Sequence, residues 1–374
     1  MPTTAETTYL PSGSTAANAV YSNTQYDVAS TNFTGPANAG QTYDDLSPVM
    51  KMYYETTALK RGKENTFLHL FGQVIPIPKN KSKTVTARRY LSLAPATSPL
   101  TEGVPPAAQT LDFEDVSTSL QQYGGVIKLT DQVDLLHPDP VLRVSAELSG
   151  EQAADTKEAL HWGVLNAGTN VFYAGGVTSR GAVEATITPA DLTKVERSFR
   201  RNKARMLTRI LGASEKVATE PIPASYIAFV HTDAIAVFKA MEGFIPVEKY
   251  ASGKTVHQNE IGSIGAFRVL ASANFNPIVN AGASSDTNMS GGTGGAPSAA
   301  AKSDVYSCVC VGADSYAITP LKGMEAIKMN VYPPGKVTPG NELGQQGFVS
   351  WMMFDAAMIT NEQWVARIEF AIKA

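Results

Sequence analysis

A long helical pattern runs from Pro140 to about Ala167. Asp139 is a good N-cap, and Pro140 suits the first helical turn, where its missing N–H costs nothing. Apolar residues gather at both ends of the stretch, whereas its middle is polar or small. The pattern predicts a helix roughly 42 Å long at 1.5 Å per residue. A helix with such a mixed middle is one that its own core does not fully cover.

A long β-hairpin is predicted over residues 76–122, with a proline-rich tip around Thr101-Glu-Gly. A two-stranded ribbon is marginal alone in water, so one this long needs a partner surface. Its first half carries a basic run without an acid, made of Lys79, Lys81, Lys83, Arg88 and Arg89. A charge run is usually a solvated edge. On this element we interpret it as a contact with acidic groups of an adjacent subunit.

A second basic face lies on a helix predicted over residues 189–211, which begins with capping chemistry at Thr188 and Asp191. A solvated surface is the plain interpretation of this face. The functional alternative is a contact with duplex DNA or with a neighbouring domain. The candidate residues for that contact are Arg197, Arg200, Arg201 and Arg205.

The remaining patterns predict a further helix and several strands, which together indicate an α+β protein. The helix covers 45–71, and strands are expected near 226–231, 265–271, 305–311, 325–332, 347–358 and 364–372. In the last strand, apolar residues alternate with Arg367 and Glu369, which predicts one buried and one solvated face. The Gly-, Ser- and Ala-rich segment 280–303 is typical of a mobile surface loop.

Length and composition limit the class of protein. A chain of 374 residues exceeds what one core usually holds, so two domains are expected. With 43% hydrophobic and 17% charged residues the chain is globular, and its net charge of −3 gives no bias toward nucleic acid or membrane. We find no membrane span and no signal peptide pattern. Cys308 and Cys310 lie on one predicted strand as buried thiols, which favours synthesis in a reducing cytoplasm.

The first 43 residues hold only two charges, Glu6 and Asp27, and are too polar to build a core. We expect an arm that orders on a neighbouring subunit. Its candidate apolar anchors are Tyr9, Tyr21 and Phe33, with Val20 and Tyr26 beside them.

A search for catalytic and cofactor motifs finds little. Gly253-Lys-Thr ends like a phosphate-binding loop, but Glu248 stands where that motif needs a glycine. The chain has no Gly-x-Ser-x-Gly or His-Glu-x-x-His sequence, and its five histidines are scattered. We therefore predict no catalytic, cofactor-binding or metal site, and no enzymatic activity.

Several motifs together carry a resemblance to a known family. They are Pro78-Lys-Asn-Lys-Ser-Lys-Thr, Pro99-Leu-Thr-Glu-Gly-Val, Gln122-Tyr-Gly-Gly-Val-Ile-Lys-Leu-Thr-Asp, Asp139-Pro-Val-Leu, Gly150-Glu-Gln-Ala-Ala and Ala167-Gly-Thr-Asn-Val-Phe-Tyr-Ala-Gly-Gly. The chain resembles the major capsid proteins of tailed double-stranded DNA bacteriophages, and most closely those of short-tailed phages with virion-borne polymerases. The resemblance is strong over 45–176, moderate over 225–270 and 324–374, and absent over 1–44 and 280–303.

The resemblance implies an α+β tailed-phage shell fold, which consists of four parts. These are an N-terminal arm (1–44), a peripheral domain (45–75, 123–179 with spine helix 140–167, and 324–374), an extended hairpin loop (76–122) and an axial domain (180–323).

The resemblance also implies a function. The chain would self-assemble as hexamers and pentamers into an icosahedral virion capsid, built in the host bacterial cytoplasm, that encloses double-stranded DNA against its inner face. Portal, scaffold and decoration proteins are further candidate partners, and no cofactor or membrane is implied. Two alternatives stay open: an encapsulin-like compartment shell, and an α+β enzyme with its site in 180–324. Size-exclusion chromatography separates shells from a small enzyme oligomer.

Overall fold

A computed structural model describes most of the chain after residue 65. The described residues are 53, 56–58, 61, 66–93, 95–97, 99, 102–103, 108–136, 140–212, 218–250, 255–283, 302–323, 327–335 and 341–372. The predicted arm, with Tyr9, Tyr21 and Phe33, lies outside them. The chain divides into two compact units. The described parts of 1–64, 122–154 and 326–353 form unit 1, and those of 65–121, 155–325 and 354–374 form unit 2.

The described α-helices are α1 (Leu68–Phe71), α2 (Asp131–Leu136), α3 (Val141–Asn166), α4 (Pro189–Arg201) and α5 (Ile235–Lys239). The first eight strands are β1 (Gln73–Val74), β2 (Thr84–Tyr90), β3 (Phe113–Ser119), β4 (Gln121–Thr130), β5 (Val171–Tyr173), β6 (Leu207–Gly212), β7 (Ala218–His231) and β8 (Phe244–Pro246). The later strands are β9 (Glu260–Ile264), β10 (Phe267–Ser272), β11 (Tyr306–Val311), β12 (Tyr316–Ile318), β13 (Lys328–Tyr332), β14 (Gln346–Asp355), β15 (Ala357–Ile359) and β16 (Val365–Phe370).

The centre of unit 2 is an eight-stranded sheet in the order β5-β16-β11-β7-β10-β9-β8, with β6 paired to β7. Successive side chains of a strand point to opposite faces. Accordingly, Tyr226 and Ala228 enter one hydrophobic cluster, while Ile227 and Phe229 enter another. Helix α4 contributes to the first cluster, and α1 with the end of α3 to the second. Both faces of the sheet are therefore covered.

This double coverage overturns the prediction that one face of the last strand is solvated. Every residue of β16 is buried, including Arg367 and Glu369. The Glu369 carboxylate is fully buried and accepts two hydrogen bonds from Arg180, at 2.8 and 2.7 Å. Arg367 Nε lies 2.9 Å from the same carboxylate. The charged positions of the alternating pattern thus form a buried ion cluster, because the strand lies inside the sheet and not at its margin.

The long helix α3 is confirmed, and its uncovered residues lie both in the polar middle and near its start. Ala153 and Ala154 are buried and so is Glu158, in the middle of the helix. The apolar residues Val144 and Leu148, near its start, are 40% and 46% exposed. Small residues allow the middle to pack closely, and its polar side chains find partners within the same chain. The expectation of an incompletely covered middle is confirmed for its polar residues: Gln152 is exposed, and Glu151, Asp155, Thr156 and Lys157 are half-buried.

The predicted hairpin is present but shorter than 76–122. Strands β2 and β3 pair antiparallel from Thr84↔Ser119 to Tyr90↔Phe113. The expected return strand is interrupted after β3, because the following strand β4 joins a different sheet with β14 and β13. The ribbon therefore consists of two strands only. A two-stranded ribbon is marginal alone in water.

The predicted helices 189–211 and 45–71 are both corrected. Helix α4 ends at Arg201, and residues that fit its apolar face continue as β6, which pairs antiparallel with β7. Lys203, with a φ of 53°, turns the chain between the two elements. In the other region, Phe67 is not helical, and α1 begins afresh at Leu68. Residues 45–52, 54–55, 59–60 and 62–65 of this stretch lie outside the described residues.

Two smaller predictions fall on described residues. Cys308 and Cys310 are buried free thiols on β11, as expected, with their Sγ atoms 4.0 Å apart. The two ends of segment 280–303 are joined by backbone hydrogen bonds between Gly282 and Ser303 and between Ser303 and Ala283, each 2.9 Å long. The stretch between those ends is outside the described residues.

Candidate assembly surfaces

The hairpin formed by β2 and β3 is sparsely covered in the described structure. Neither strand contains a buried residue. At its root, the Leu120 N–H donates to the Lys83 carbonyl at 2.8 Å, and near its tip the Leu91 N–H donates to the Asp112 carbonyl at 2.9 Å. One face is half-buried, where the Thr118 hydroxyl donates to the Ala357 carbonyl at 3.4 Å. A ribbon without a buried residue gains little from its own core, so its exposed surface is available to another molecule.

Two cations of the predicted basic run already have partners inside the hairpin. Arg88 forms a two-pronged pair with Asp115, with Nε–Oδ1 and Nη2–Oδ2 distances of 2.8 and 2.9 Å. The hydrogen bond from Arg88 lowers the pKa of Asp115. Arg89 pairs with Glu114 across the ribbon through a single contact, from Nη2 to Oε2. Acidic groups on a neighbour are therefore not needed to neutralise these two arginines.

The three lysines of the run are placed differently. Lys83 Nζ donates to Gln121 Oε1 at 3.2 Å, and Lys81 is exposed. Lys79 lies beside Gly323, where a Cβ added to the glycine would meet its Nζ at 3.1 Å. Their contact with a neighbouring subunit stays a prediction.

Exposed apolar side chains lie along the chain where the β2–β3 ladder ends, a feature that the sequence analysis missed. The residues that carry them, here called the hairpin tip, are Tyr90, Leu91, Leu93, Leu111 and Phe113, each between 45% and 64% exposed. The Tyr90 and Phe113 rings pack across the strands with centroids 6.4 Å apart. Clustered exposed apolar side chains usually mark an interaction site. The sequence signal for these exposed residues is the apolar positions on each side of the tip prolines, which the pattern alone assigns only to strands.

The basic face of α4 separates into paired and unpaired cations. Arg200 pairs with Glu196 at 2.7 Å. Within the described part of the chain, no carboxylate pairs with Arg197, Arg201 or Arg205, and all three are exposed. Arg205 lies beyond the end of the helix, which corrects its predicted position on the helix face. The predicted capping box at Thr188 and Asp191 is present.

The described residues also bear on metal sites and membrane spans. In that part of the chain, no group of three or more His, Cys, Asp or Glu residues is arranged to hold a metal ion. None of the described helices is long and apolar enough to cross a membrane.

Comparison with known proteins places this geometry in a family. The model of a phage capsid protein family matches residues 113–368, which is more than half of the chain. The major capsid protein of Pseudomonas phage KPP21 is 24% identical, over 57% of this chain and 56% of that relative's length. The solved capsid of Ralstonia phage GP4 aligns with a TM-score of 0.59 at 11% identity, covering 92% of this chain and 98% of that one.

The capsid structure of the cyanophage P-SCSP1u gives a TM-score of 0.52 at 13% identity, covering 83% of this chain and 89% of that one. At such identities the solved structures show the fold alone, and they confirm the expected α+β shell fold. The matched segment runs from the return strand of the hairpin through β16. The chain therefore belongs to the phage capsid protein family.

Proposed function

We propose that this chain is the major subunit of an icosahedral shell that encloses the double-stranded DNA genome of a bacteriophage. The observation that carries the proposal is the exposed hairpin tip, at the end of a ribbon without a buried residue. The apolar side chains of the hairpin tip are removed from water when a pocket on another subunit covers them. When every copy in a closed symmetric assembly makes the same contact, all tips are covered.

The hairpin has separate parts for rigidity and for contact. The Arg88–Asp115 and Arg89–Glu114 pairs link its two strands, so they hold the ribbon in one shape. The hairpin tip supplies apolar area, which is the main favourable term in most protein association. Lys79, Lys81 and Lys83 near the root add charges that select register more than they add affinity.

The same proposal assigns the rest of the chain. Helix α3 is the spine of a peripheral domain, and residues 180–323 form an axial domain. The arm, through Tyr9, Tyr21 and Phe33, lies along a neighbouring subunit. Hexamers and pentamers are the repeating groups of the shell.

The shell is assembled in the cytoplasm of the host bacterium and faces packaged DNA on its inside. Portal, scaffold and decoration proteins are its further partners. The basic residues Arg197, Arg201 and Arg205 are candidates for the DNA contact, with a neighbouring axial domain as the alternative partner.

The test replaces apolar tip residues without touching the charges. In the variant Leu93→Asn/Leu111→Asn we expect a folded subunit that no longer assembles, because the tip loses the apolar area that it buries. The matched control is Val279→Asn, which changes an equally exposed apolar residue elsewhere in unit 2. Size-exclusion chromatography and electron micrographs of the purified chain report assembly, and circular dichroism reports folding.

The outcomes separate the hypotheses. Closed shells from the wild-type chain and from the control, but not from the tip variant, would support the proposal. Normal shells from the tip variant would remove the hairpin contact. A small defined oligomer from the wild-type chain would contradict shell formation and favour the enzyme alternative, whereas shells that hold protein cargo in place of DNA would favour a compartment.

A further inference from the structure

The outer edge of β2 has no partner strand in the described structure. Strands β2 and β3 form a sheet of two, so each of them has one edge that no other described strand pairs with. The root of β3 is held from the side, because the Thr118 hydroxyl donates to the Ala357 carbonyl at 3.4 Å. No described residue outside the hairpin forms a hydrogen bond with β2.

Two hydrogen bonds show which backbone groups of β2 point to this edge. The Leu120 N–H donates to the Lys83 carbonyl at 2.8 Å. The Leu91 N–H donates to the Asp112 carbonyl at 2.9 Å. Lys83 and Leu91 therefore both point inward, and directions alternate along an antiparallel pair. The residues of β2 whose backbone groups point outward are Thr84, Thr86, Arg88 and Tyr90.

Most of these outward groups are available to another chain. Ser82 Oγ accepts the Thr84 N–H at 3.0 Å. The N–H groups of Thr86, Arg88 and Tyr90 have no acceptor among the described residues. A row of unpaired N–H and C=O groups is a template for an added strand. Strand addition of this kind is a recurring mode of peptide recognition.

The charges along this edge limit the partner strand. Segment 79–89 holds five cations and no acid. Arg88 and Arg89 are paired with β3, whereas no described carboxylate pairs with the three lysines. Like charges opposite each other destabilise a sheet, and a second copy of β2 would bring such charges together. The partner strand is therefore acidic or uncharged.

The N-terminal arm contains a segment with these properties. Residues 14–34 include no Lys, Arg, Gly or Pro, and Asp27 is their only charge. The absence of Pro and Gly suits a ladder of hydrogen bonds. Segment 280–303, another charge-poor stretch, is rich in Gly and suits a strand poorly.

The arm segment also shows the alternation of a strand with two different faces. In an extended chain, one face of 20–28 would carry Val20, Thr24, Tyr26 and Val28. The other face would carry Asn23, Gln25 and Asp27, and only Ser22 and Tyr21 depart from the pattern. The ribbon has the same division, because alternate residues of β2 are exposed and half-buried.

We propose that residues 14–34 of one copy add a strand to the outer edge of β2 in another copy. The added strand supplies carbonyl oxygens to the N–H groups of Thr86, Arg88 and Tyr90. Asp27 brings an acid to a basic edge, so no like charges meet. The inference rests on the proposed function, because a shell places a second copy within reach, and it names the surface on which the arm docks.

The experiment titrates a synthetic peptide of residues 14–34 into the full chain and measures hydrogen exchange at single amides. Strand addition protects the outward N–H groups of β2, which have no acceptor before the peptide binds. We expect Thr86, Arg88 and Tyr90 to gain about ten times more protection than the inward amides between them. Covering a face of the ribbon with side chains alone would not produce this alternation.

Two proline substitutions form a matched pair. Thr86→Pro removes an outward N–H from β2, and Ser117→Pro removes an outward N–H from β3, so neither takes a hydrogen bond from the ladder. We expect Thr86→Pro to weaken peptide binding on the order of tenfold and Ser117→Pro to leave it within about twofold. Fluorescence anisotropy of a labelled peptide measures binding, and circular dichroism reports folding.

Substitutions in the peptide leave the subunit untouched. Tyr26→Pro removes an N–H from the added strand and forces a kink, so it should weaken binding on the order of tenfold. Asp27→Lys places a cation against the basic edge and should weaken binding about fivefold at low salt. These two changes keep the proposal testable if Thr86→Pro disturbs the hairpin.

The outcomes are distinct. Alternating protection on β2 that Tyr26→Pro abolishes would support the proposal. No peptide binding, or protection without alternation, would overturn it. Protection of the outward amides of β3 in place of those of β2 would also overturn it. Alternating protection in the free chain before the peptide is added would assign the strand to the same copy and contradict the contact between copies.

The peptide measurement needs no shell, so it fails separately from the proposed function. Shells that form from a chain that does not bind the peptide would leave the proposed function intact and remove the strand addition. Peptide binding by a chain that never forms shells would contradict the proposed function alone.

Discussion

At the residue scale, the cations around α4 differ in whether a carboxylate already holds them. Arg200 is paired with Glu196, whereas Arg197, Arg201 and Arg205 are exposed without a paired acid in the described structure. Changing these three to Gln should weaken binding of the chain to duplex DNA. It should also reduce the slope of log affinity against log salt by about 0.9 for each lost phosphate contact. Titration of fluorescent duplex DNA at several salt concentrations gives both quantities.

Arg200→Gln is the matched control for this set, because it removes one positive charge from the same surface but frees Glu196. If the arginines contact DNA individually, the control should change the salt slope less than any one of the three others. Equal effects from all four residues would indicate a general field without specific contacts. If the wild-type chain shows no salt-sensitive binding, the DNA contact is excluded. A solvated surface and a contact with a neighbouring domain are then the remaining interpretations of these arginines.

Residue roles were predictable where the partners are close in sequence. The capping box joins Thr188 to Asp191, and the sequence shows both residue types at the required spacing. Glu158 and Glu369 could not be assigned in this way, since their partners lie about 90 and 189 positions away. A polar residue in a periodic pattern indicates a solvated face only if no distant partner exists, and the sequence does not show that.

At the element scale, the hairpin offers a test of where its charges find partners. Arg88→Asp places an acid directly opposite Asp115, and like charges across strands destabilise a ribbon by about 0.2–1 kcal/mol relative to neutral pairs. We expect lower shell yield from this variant, measured by sedimentation. Adding Asp115→Arg restores opposite charges, so the swapped variant should recover assembly.

Lys81 and Lys83 differ from Arg88, because their proposed acidic partners lie on a neighbouring subunit and not in the hairpin. Lys81→Glu and Lys83→Glu should reduce assembly if these residues meet acids on a neighbour, and no change inside the hairpin should rescue them. If the swapped Arg88/Asp115 variant stays unassembled although it is folded, the arginine serves a neighbour and not its own ribbon. Its position 4.0 Å above the Phe113 ring would then be the second contribution to test.

Elements were predicted best where a single period applies over a long stretch. Helix α3 was found nearly to its ends, because 26 residues of helical pattern leave little ambiguity. The boundary between α4 and β6 was missed, since Met206 and Ile210 also fit the apolar face of a continued helix. Residues 207–212 form a strand because they pair with β7, which lies later in the chain. Short apolar segments take the structure that their partner strand offers, and that is not a local property.

At the scale of the whole molecule, the fold was identified through motifs and not through its elements. Helices and strands in this order are compatible with many α+β proteins, and the sheet order β5-β16-β11-β7 joins strands that are far apart in sequence. No periodicity specifies such an order. The resemblance implied the shell fold and the order of its parts but no strand order, and the family match over residues 113–368 covers the hairpin's return strand, α3 and most of the eight-stranded sheet.

The proposed role of the arm follows from its composition. Its first 43 residues carry only two charges and a few separated aromatic residues. Docking such a segment on another subunit desolvates few charges, so the cost of burial is small. Deleting residues 2–40 should change the free energy of unfolding of the isolated subunit by less than about 0.5 kcal/mol. The same deletion should lower the denaturant concentration at which assembled shells dissociate.

The variant Tyr9→Ser/Tyr21→Ser/Phe33→Ser keeps the full length of the arm but removes its aromatic anchors. It therefore distinguishes the effect of the anchors from the effect of the chain that carries them. We expect it to weaken shells nearly as much as the deletion, because the apolar side chains supply most of the favourable free energy of docking. Shell dissociation is followed by light scattering and subunit unfolding by tryptophan fluorescence. If the deletion lowers subunit stability by as much as it lowers shell stability, the arm packs on its own subunit, and its assignment as an intersubunit contact fails.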